Sequence, residues 1–311
     1  MKAGVILNPI AGGGGLQRQR ATLEAALARH FASWEIRETQ KSGDGERLAI
    51  AFAAEGCDVV IAAGGDGTAS EAADGLLQLN AEGGRCCALA FLPCGTGTDF
   101  ARGLGISREI DVTISRIATA NPRKVDAGRI SYVDDGGRLA SRHFINIASA
   151  GLSGATDRAV NKDKRKGKVS AKALFFWRTV GEFVRYRFQT VRIRIDDGEA
   201  LEAPVALVAV CNGRFFGGGM MVAPDAELDD GLFDVVIVRA ASKLGLIKDL
   251  RLLYGGRHRN HHAIKIMRGA RISVEPVGDA GAGVLVDIDG ESPGRCPATF
   301  EVLPDAITLM C

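Results

Sequence analysis

The stretch DVVIAAGGDGTASEAADGLLQL, residues 58–79, decides how this chain folds. It opens on a β-branched apolar run, 58–63, which predicts a strand buried on both faces. Gly64, Gly65 and Gly67 follow around Asp66, a poor composition for either helix or strand. Residues 68–79 then have helical spacing, with Thr68 placed as an N-cap and Glu71 three residues on, as in a capping box. Working outward, 3–8, 34–39 and 87–93 read as further strands, and 16–31 and 44–56 as helices. Strands alternating with helices predict a three-layer α/β domain on a parallel sheet. Such sheets bind ligands at the carboxyl ends of their strands.

Beyond Asn121-Pro122 the pattern changes to short strands between turns, interrupted by helical segments at about 155–187 and 242–254. This predicts an antiparallel β-sandwich. The expected domains are 1–121 (α/β) and 122–305 (β-sandwich), with a strand at 306–311 that can return to the first. A chain of 311 residues, 46% of them hydrophobic, is large enough for two such cores. The formal net charge of +2 argues against nucleic acid as a partner of the whole chain. No apolar run is long enough to span a membrane, and the N-terminal run is broken too early by Asn8-Pro9 for a signal peptide. The seven cysteines form no CxxC pair and read as thiols in a reducing cytosol.

Three turns carry the first chemical signal. NPIAGGGG follows the first strand, GGDGT the third, and PCGTGTDFARGLG (93–105) the fourth, so a parallel sheet brings all three to one edge. Glycines let backbone N–H groups approach a phosphate, and the helix that follows adds a favourable field. A carboxylate among phosphates repels them unless a divalent cation lies between, so Asp66 suggests a magnesium-bound nucleotide. Read alone, GGDGT is also consistent with a tight turn whose aspartate caps a helix. Neither GxxxxGK[ST] nor GxGxxG occurs. Two acidic turns, LDDGL (228–232) and DIDGE (287–291), lie in the second half; carboxylates with backbone carbonyls suit a hard cation, and Asp289 with Glu291 forms a carboxylate pair about one glycine.

In order, NPIAGG, GGDGT, PCGTGTDFAR, GGGMMVAPDAELDDGLFDVVIV and DIDGE resemble the diacylglycerol kinase catalytic family of soluble lipid kinases, over nearly the whole chain. GGDGT by itself is shared with NAD kinases, whose fold the first domain is expected to resemble. The resemblance implies an ATP- and Mg²⁺-dependent kinase that moves the γ-phosphate to the hydroxyl of a membrane lipid such as a diacylglycerol or a sphingoid or ceramide-type lipid. It implies that Asn8, Thr39, Gly64, Gly65, Asp66, Gly67, Thr68, Ala69, Ser70 and Thr96 line the ATP site. Asp66 would organise catalytic magnesium, with Asp126 near it, while Asp99 and Arg102 help hold the loop. Leu228 and Leu232, through their carbonyls, and Asp230, through its side chain, would hold a structural magnesium. Asp289 or Glu291 would be the general base. The family's pattern has Asn before the Asp of TDFAR; here that position is Thr98.

The segment 161–188 is strongly basic and carries Leu174, Phe175, Phe176 and Trp177 among its apolar residues. A basic amphipathic helix of this kind fits an anionic membrane surface. The expectation is therefore a cytoplasmic enzyme that visits the membrane peripherally, with homo-oligomerisation left open. An NAD kinase and a non-catalytic lipid- or nucleotide-binding module are the competing readings.

Overall fold

The strand that opens the deciding stretch, β3 (Val59–Gly64), lies beside β1 (Lys2–Leu7) in a parallel sheet, in a computed structural model describing residues 1–95, 97–163, 181, 185–278 and 283–311. The chain divides into two compact units, Met1–Ala127 with Pro304–Cys311, and Gly128–Leu303. It passes from one to the other inside two long strands, β5 (Arg123–Asp134) and β16 (Gly294–Leu309). The segment 306–311, expected as a strand of its own, thus belongs largely to a longer strand that continues through Pro304.

In the first unit β1 pairs with β2 (Ser33–Glu38) on one side and β3 on the other, and β3 pairs with β4 (Ala88–Pro93), all parallel. Leu309 at the end of β16 extends the sheet beside Leu89 of β4. Every residue of β3 and β4 is buried, as their uninterrupted apolar runs require. Alternate residues serve opposite layers. Ala3, Val5 and Leu7 pack with Leu23 and Leu27 of the helix Arg20–His30 and Ile114 of the helix Ile110–Thr119. On the other parity, Gly4 leaves room for the ring of Phe52, which a Cβ there would meet at 2.3 Å. Phe52 belongs to the helix Asp44–Ala54, which packs on the helix Asp66–Ala81.

The chain therefore leaves β1 for one face and β3 for the other. Neighbouring strands whose connections diverge in this way open a crevice at their carboxyl ends. That crevice is where the glycine turns lie.

The second unit is antiparallel. Strand β9 (Leu201–Cys211) pairs with β12 (Phe233–Arg239), with β8 (Gln189–Ile195) along its first half and with β7 (Ile147–Gly151) along its second. Alternation along β9 separates two apolar layers. Val205, Val208 and Val210 join Phe144, Phe233 and Phe300 in the main core, while Ala209 and Cys211 face Met220 and Val222. Strand β15 (Val286–Ile288) pairs with β7 and so delivers the DIDGE turn to the end of that strand.

Candidate active site

The three glycine turns of the first unit meet. A Cβ on Gly95 would lie 2.7 Å from the Cα of Gly65, and one on Gly12 would lie 2.2 Å from the carbonyl oxygen of Cys94. These are backbone-to-backbone approaches that no side chain can relieve. Gly12 also has a positive φ of 58°, which favours glycine for a second reason. Asn8 ties the first turn to the helix after β3: its Nδ2 donates to Thr68 Oγ1 at 3.1 Å, and its Oδ1 accepts from the Ile10 N–H.

The helix starts at Asp66, with Gly65 as its N-cap and no side-chain cap. Thr68 is thus inside the helix rather than the expected cap, because its hydroxyl is taken up by Asn8. Glu71 likewise forms no capping box. Its carboxylate reaches the 42–45 loop and accepts from the N–H groups of Gly43 and Gly45 at 2.8 and 2.9 Å. It therefore serves the start of the neighbouring helix Asp44–Ala54. Gly64 is held close by Thr68, whose Oγ1 would lie 2.5 Å from a Cβ.

Asp66 itself turns towards the third loop. Its Oδ2 accepts from the Asp99 N–H at 2.9 Å and its Oδ1 lies 3.4 Å from the Phe100 N. It thereby serves the N-terminus of the short helix Asp99–Gly103, where a negative charge is favoured. The helix-capping use of this carboxylate is therefore real, but the helix is not its own. Thr98, which stands where the family has Asn, is buried and accepts from Arg108 Nη2 at 2.8 Å. Arg102 sits within 3.8 Å of Asp99.

Of the remaining residues expected at a nucleotide site, Thr39 follows β2 and donates its N–H to the Leu7 carbonyl at 3.0 Å. Gly67 is open to its surroundings, with nothing within 4 Å of a Cβ. Ala69 and Ser70 are buried in the first turns of the helix, and Ser70 Oγ makes no hydrogen bond among the described residues. Thr96 lies outside the described residues. Asp126 is buried in the same unit and accepts from the Asp305 N–H at 2.9 Å, which joins β5 to the return of β16.

In the second unit Asp289 has a positive φ of 48° and both its carboxylate oxygens are in use. Oδ2 accepts from the N–H of Ile145 at 3.0 Å, and Oδ1 from those of Asn146 and Ile147 at 3.1 and 3.0 Å. Three consecutive amides between β6 (Leu139–Phe144) and β7 therefore converge on one carboxylate. Glu291, half-exposed, accepts from Arg142 Nη1 at 2.6 Å. The two carboxylates of the DGE turn thus differ: one is clamped by backbone, the other is steered by an arginine.

The 228–232 loop is less open to a cation than its sequence suggests. Asp230 accepts from the Leu232 N–H at 3.1 Å and pairs with Arg268, so a metal held by Leu228, Asp230 and Leu232 must displace that guanidinium. Burial pushes the neighbouring Asp234 carboxyl up, and Asp230 adds to the effect. Among the described residues no three His, Cys, Asp or Glu side chains cluster closely enough to hold a metal ion. Magnesium sites that rely on substrate phosphates need only one or two carboxylates, and Asp66 supplies one where the glycine turns meet.

The cavity in this unit carried no sequence motif. It lies on the outer face of β9 and β12, lined by Leu207, Met220, Val236 and Leu253 and edged by Ser153 and Asp157. His258, His261 and Asp249 also line it: His261 Nε2 is 3.1 Å from Asp249 Oδ2, and the buried His258 contacts the Val222 carbonyl at 2.8 Å. Burial pushes the His258 imidazole down, towards the neutral form. The basic run expected to meet a membrane falls on 164–180 and 182–184 for the most part, outside the described residues. No helix among the described residues is long and apolar enough to cross a membrane.

Comparison with known proteins gives these turns a family. Residues 2–130 match the diacylglycerol kinase catalytic domain, and residues 146–311 match the YegS C-terminal NAD kinase beta sandwich-like domain. The chain is 37% identical over 218 residues to a Chromohalobacter salexigens protein named "Probable lipid kinase YegS-like", a match covering 69% of this chain and 65% of that relative. It is 29% identical over 301 residues to the diacylglycerol kinase of Staphylococcus saprophyticus, covering 96% of this chain and 92% of the relative. A crystal structure of a diacylglycerol kinase from Bacillus anthracis superposes with a TM-score of 0.72 at 25% identity, over 99% of this chain and 96% of that one. The chain therefore belongs to the family that joins a diacylglycerol kinase catalytic domain to a YegS C-terminal domain.

Proposed function

We propose that this protein is an ATP- and Mg²⁺-dependent lipid kinase that transfers the γ-phosphate to the hydroxyl of a membrane lipid, either a diacylglycerol or a sphingoid or ceramide-type lipid. The observation that carries the reading is the meeting of three glycine turns at the divergence of β1 and β3, tight enough that Gly12 and Gly95 admit no side chain. Backbone amides brought this close can surround phosphate oxygens without a side chain intervening. Relatives named for diacylglycerol and lipid kinases set the acceptor class.

In this reading the glycine turns hold the phosphates and Asp66 sets both the third loop and the approach of the metal. Bound magnesium spreads the charge that develops on the phosphates. The acceptor hydroxyl gives up its proton at the DGE turn, to Asp289 or Glu291, as general base. The apolar cavity of the second unit receives lipid chain, since each buried methylene contributes about 0.8 kcal/mol. The basic 161–188 segment brings the protein to anionic membrane as a peripheral visitor from the cytoplasm.

The test is incubation of the purified protein with radiolabelled ATP and detergent-dispersed diacylglycerol, sphingoid base, ceramide or NAD, with products separated by thin-layer chromatography. The expected outcome is magnesium-dependent label in a lipid phosphate. Label in NAD alone, or ATP binding without turnover on any lipid, defeats the reading.

A further inference from the structure

Two residues before Asp289, the strand β15 that leads into its turn carries a second aspartate that the kinase reading leaves unused. Asp287 is fully buried, on a strand that pairs with β7 so that Asp287 faces Ser149. Its Oδ1 accepts from the Gly290 N–H at 2.9 Å, the middle of the DGE turn. Its Oδ2 lies 3.3 Å from Ser149 Oγ, which is 2.6 Å from Ser153 Oγ. Asp157, from the helix Leu152–Asp163, is near enough to act on this carboxyl by charge and by hydrogen bond. Asp157 is itself buried, and with Ser153 it edges the apolar cavity.

Two carboxyl groups in hydrogen-bond contact inside a protein cannot both be ionised without strong repulsion, so the pair holds one proton between them. Burial is the first cause that pushes Asp287 well above the usual carboxylate range, with Asp157 second and Asp289 contributing further. The Gly290 N–H works the other way. Among the described residues, the groups facing the pair include Ser149 from β7, Ser153 from the helix start, and Asp289 with the Gly290 N–H from the turn. The nearby Arg158 bonds Ser292 and Asp135, and Arg142 bonds Glu291.

The geometry points to Asp287 as a positioning residue for the DGE turn, coupled through Asp157 to the helix that walls the lipid cavity. This rests on the lipid-kinase reading. One end of the chain of contacts is the cavity edge, at Ser153 and Asp157. The other is the backbone between the two carboxylates assigned to proton transfer. The helix start at Ser153 and the turn at Gly290 are thus linked through Ser149 and Asp287. No proton leaves the pair during transfer; its part is to keep Gly290 in place. The pair also gives a sign for pH. The fold binds one proton more than the unfolded chain above the ordinary carboxylate range, so this contribution to stability falls as pH rises.

The experiment compares wild type, Asp287→Asn and Asp287→Ala. Asparagine can still accept from Gly290 through its oxygen and can donate its amide to an ionised Asp157 without a shared proton. The expected results are a kcat for lipid within about threefold of wild type in Asp287→Asn, and a loss of about tenfold or more in Asp287→Ala with KM for ATP unchanged. The thermal midpoint of Asp287→Asn should rise relative to wild type from about pH 5 to about pH 9. The inference is overturned if Asp287→Ala keeps full kcat, if asparagine does no better than alanine, or if the midpoint difference is flat with pH. If Asp287→Ala does not fold, the asparagine variant's kcat and its pH-dependent midpoint decide alone. Wild type that labels no lipid defeats the kinase reading and with it the role in transfer. The melting comparison needs no turnover and still decides whether the proton is shared.

Discussion

The turn Gly64–Thr68 and the turn Asp287–Glu291 carry the two halves of the proposed chemistry, and they are held in opposite ways. The first is shaped by missing atoms. Its approach to the third loop is backbone to backbone, at Gly65 and Gly95, and the helix that follows has no side-chain cap. The second is shaped by added ones: Asp289 gathers three amides, and Asp287 a fourth. A ligand that must be enclosed by N–H groups needs the first kind of turn, since side chains would stand in the way. A turn that must aim two carboxylates needs the second kind, since only specific acceptors fix a left-handed aspartate at φ 48°. The first should therefore fail when atoms are added and the second when they are removed.

The largest effect should come from removal at the clamp. Asp289→Ala strands three N–H donors belonging to Ile145, Asn146 and Ile147, all buried residues. Unsatisfied buried donors cost about 1–3 kcal/mol each, and shared relaxation keeps the sum to roughly 3–5 kcal/mol. Asp289→Asn retains one carbonyl oxygen and should lose about half as much. Urea unfolding of the two variants measures this, and a loss under about 1 kcal/mol for alanine would show that the clamp does not hold the turn.

Addition at the glycine crossing comes next. Gly95→Ala forces a Cβ to within 2.7 Å of the Gly65 Cα, so the two loops must separate. Overpacking of this kind costs about 1–3 kcal/mol. ATP affinity should fall by about tenfold or more, because separating the loops spreads the amides. Equilibrium unfolding and nucleotide titration by calorimetry check the two effects separately. Unchanged affinity in a destabilised protein would break the link between the crossing and the phosphate site.

The same contrast explains what was legible in the sequence. Burial of β3 and β4, the glycine turns and their place after strands all follow from local composition, and the structure has them. So does the change from a parallel α/β unit to an antiparallel one. What local reading cannot supply is the partner of a charged side chain. Thr68 and Glu71 have the spacing of a capping box, yet Thr68 bonds Asn8, 60 residues away, and Glu71 bonds Gly43 and Gly45. Asp66 caps a helix that begins at Asp99. Asp287 stands in the quoted DIDGE block, but its meaning lies in Asp157, on another element and separated by 130 positions of chain that the strand pairing of β7 with β15 closes. In each case tertiary contact overrides a local preference worth about 1 kcal/mol.

The smallest effect is the one that sharpens the comparison most. Gly67 lies inside the first turn of the helix Asp66–Ala81 and is not among the glycines with positive φ. A Cβ there meets nothing within 4 Å. Nothing in the fold therefore requires glycine at this position, and alanine should stabilise the helix by about 0.5–1 kcal/mol. A glycine that the fold does not need is explained if a ligand needs it, because the N-terminal amides of this helix face the proposed phosphates. Gly67→Ala should then raise the thermal midpoint slightly while weakening ATP binding by a few-fold, the opposite pairing from Gly95→Ala, where both fall. If the variant gains stability and binds ATP as well as wild type, Gly67 has no part in the site, and the phosphate-binding reading of this turn contracts to Gly64, Gly65 and the crossing with Gly95.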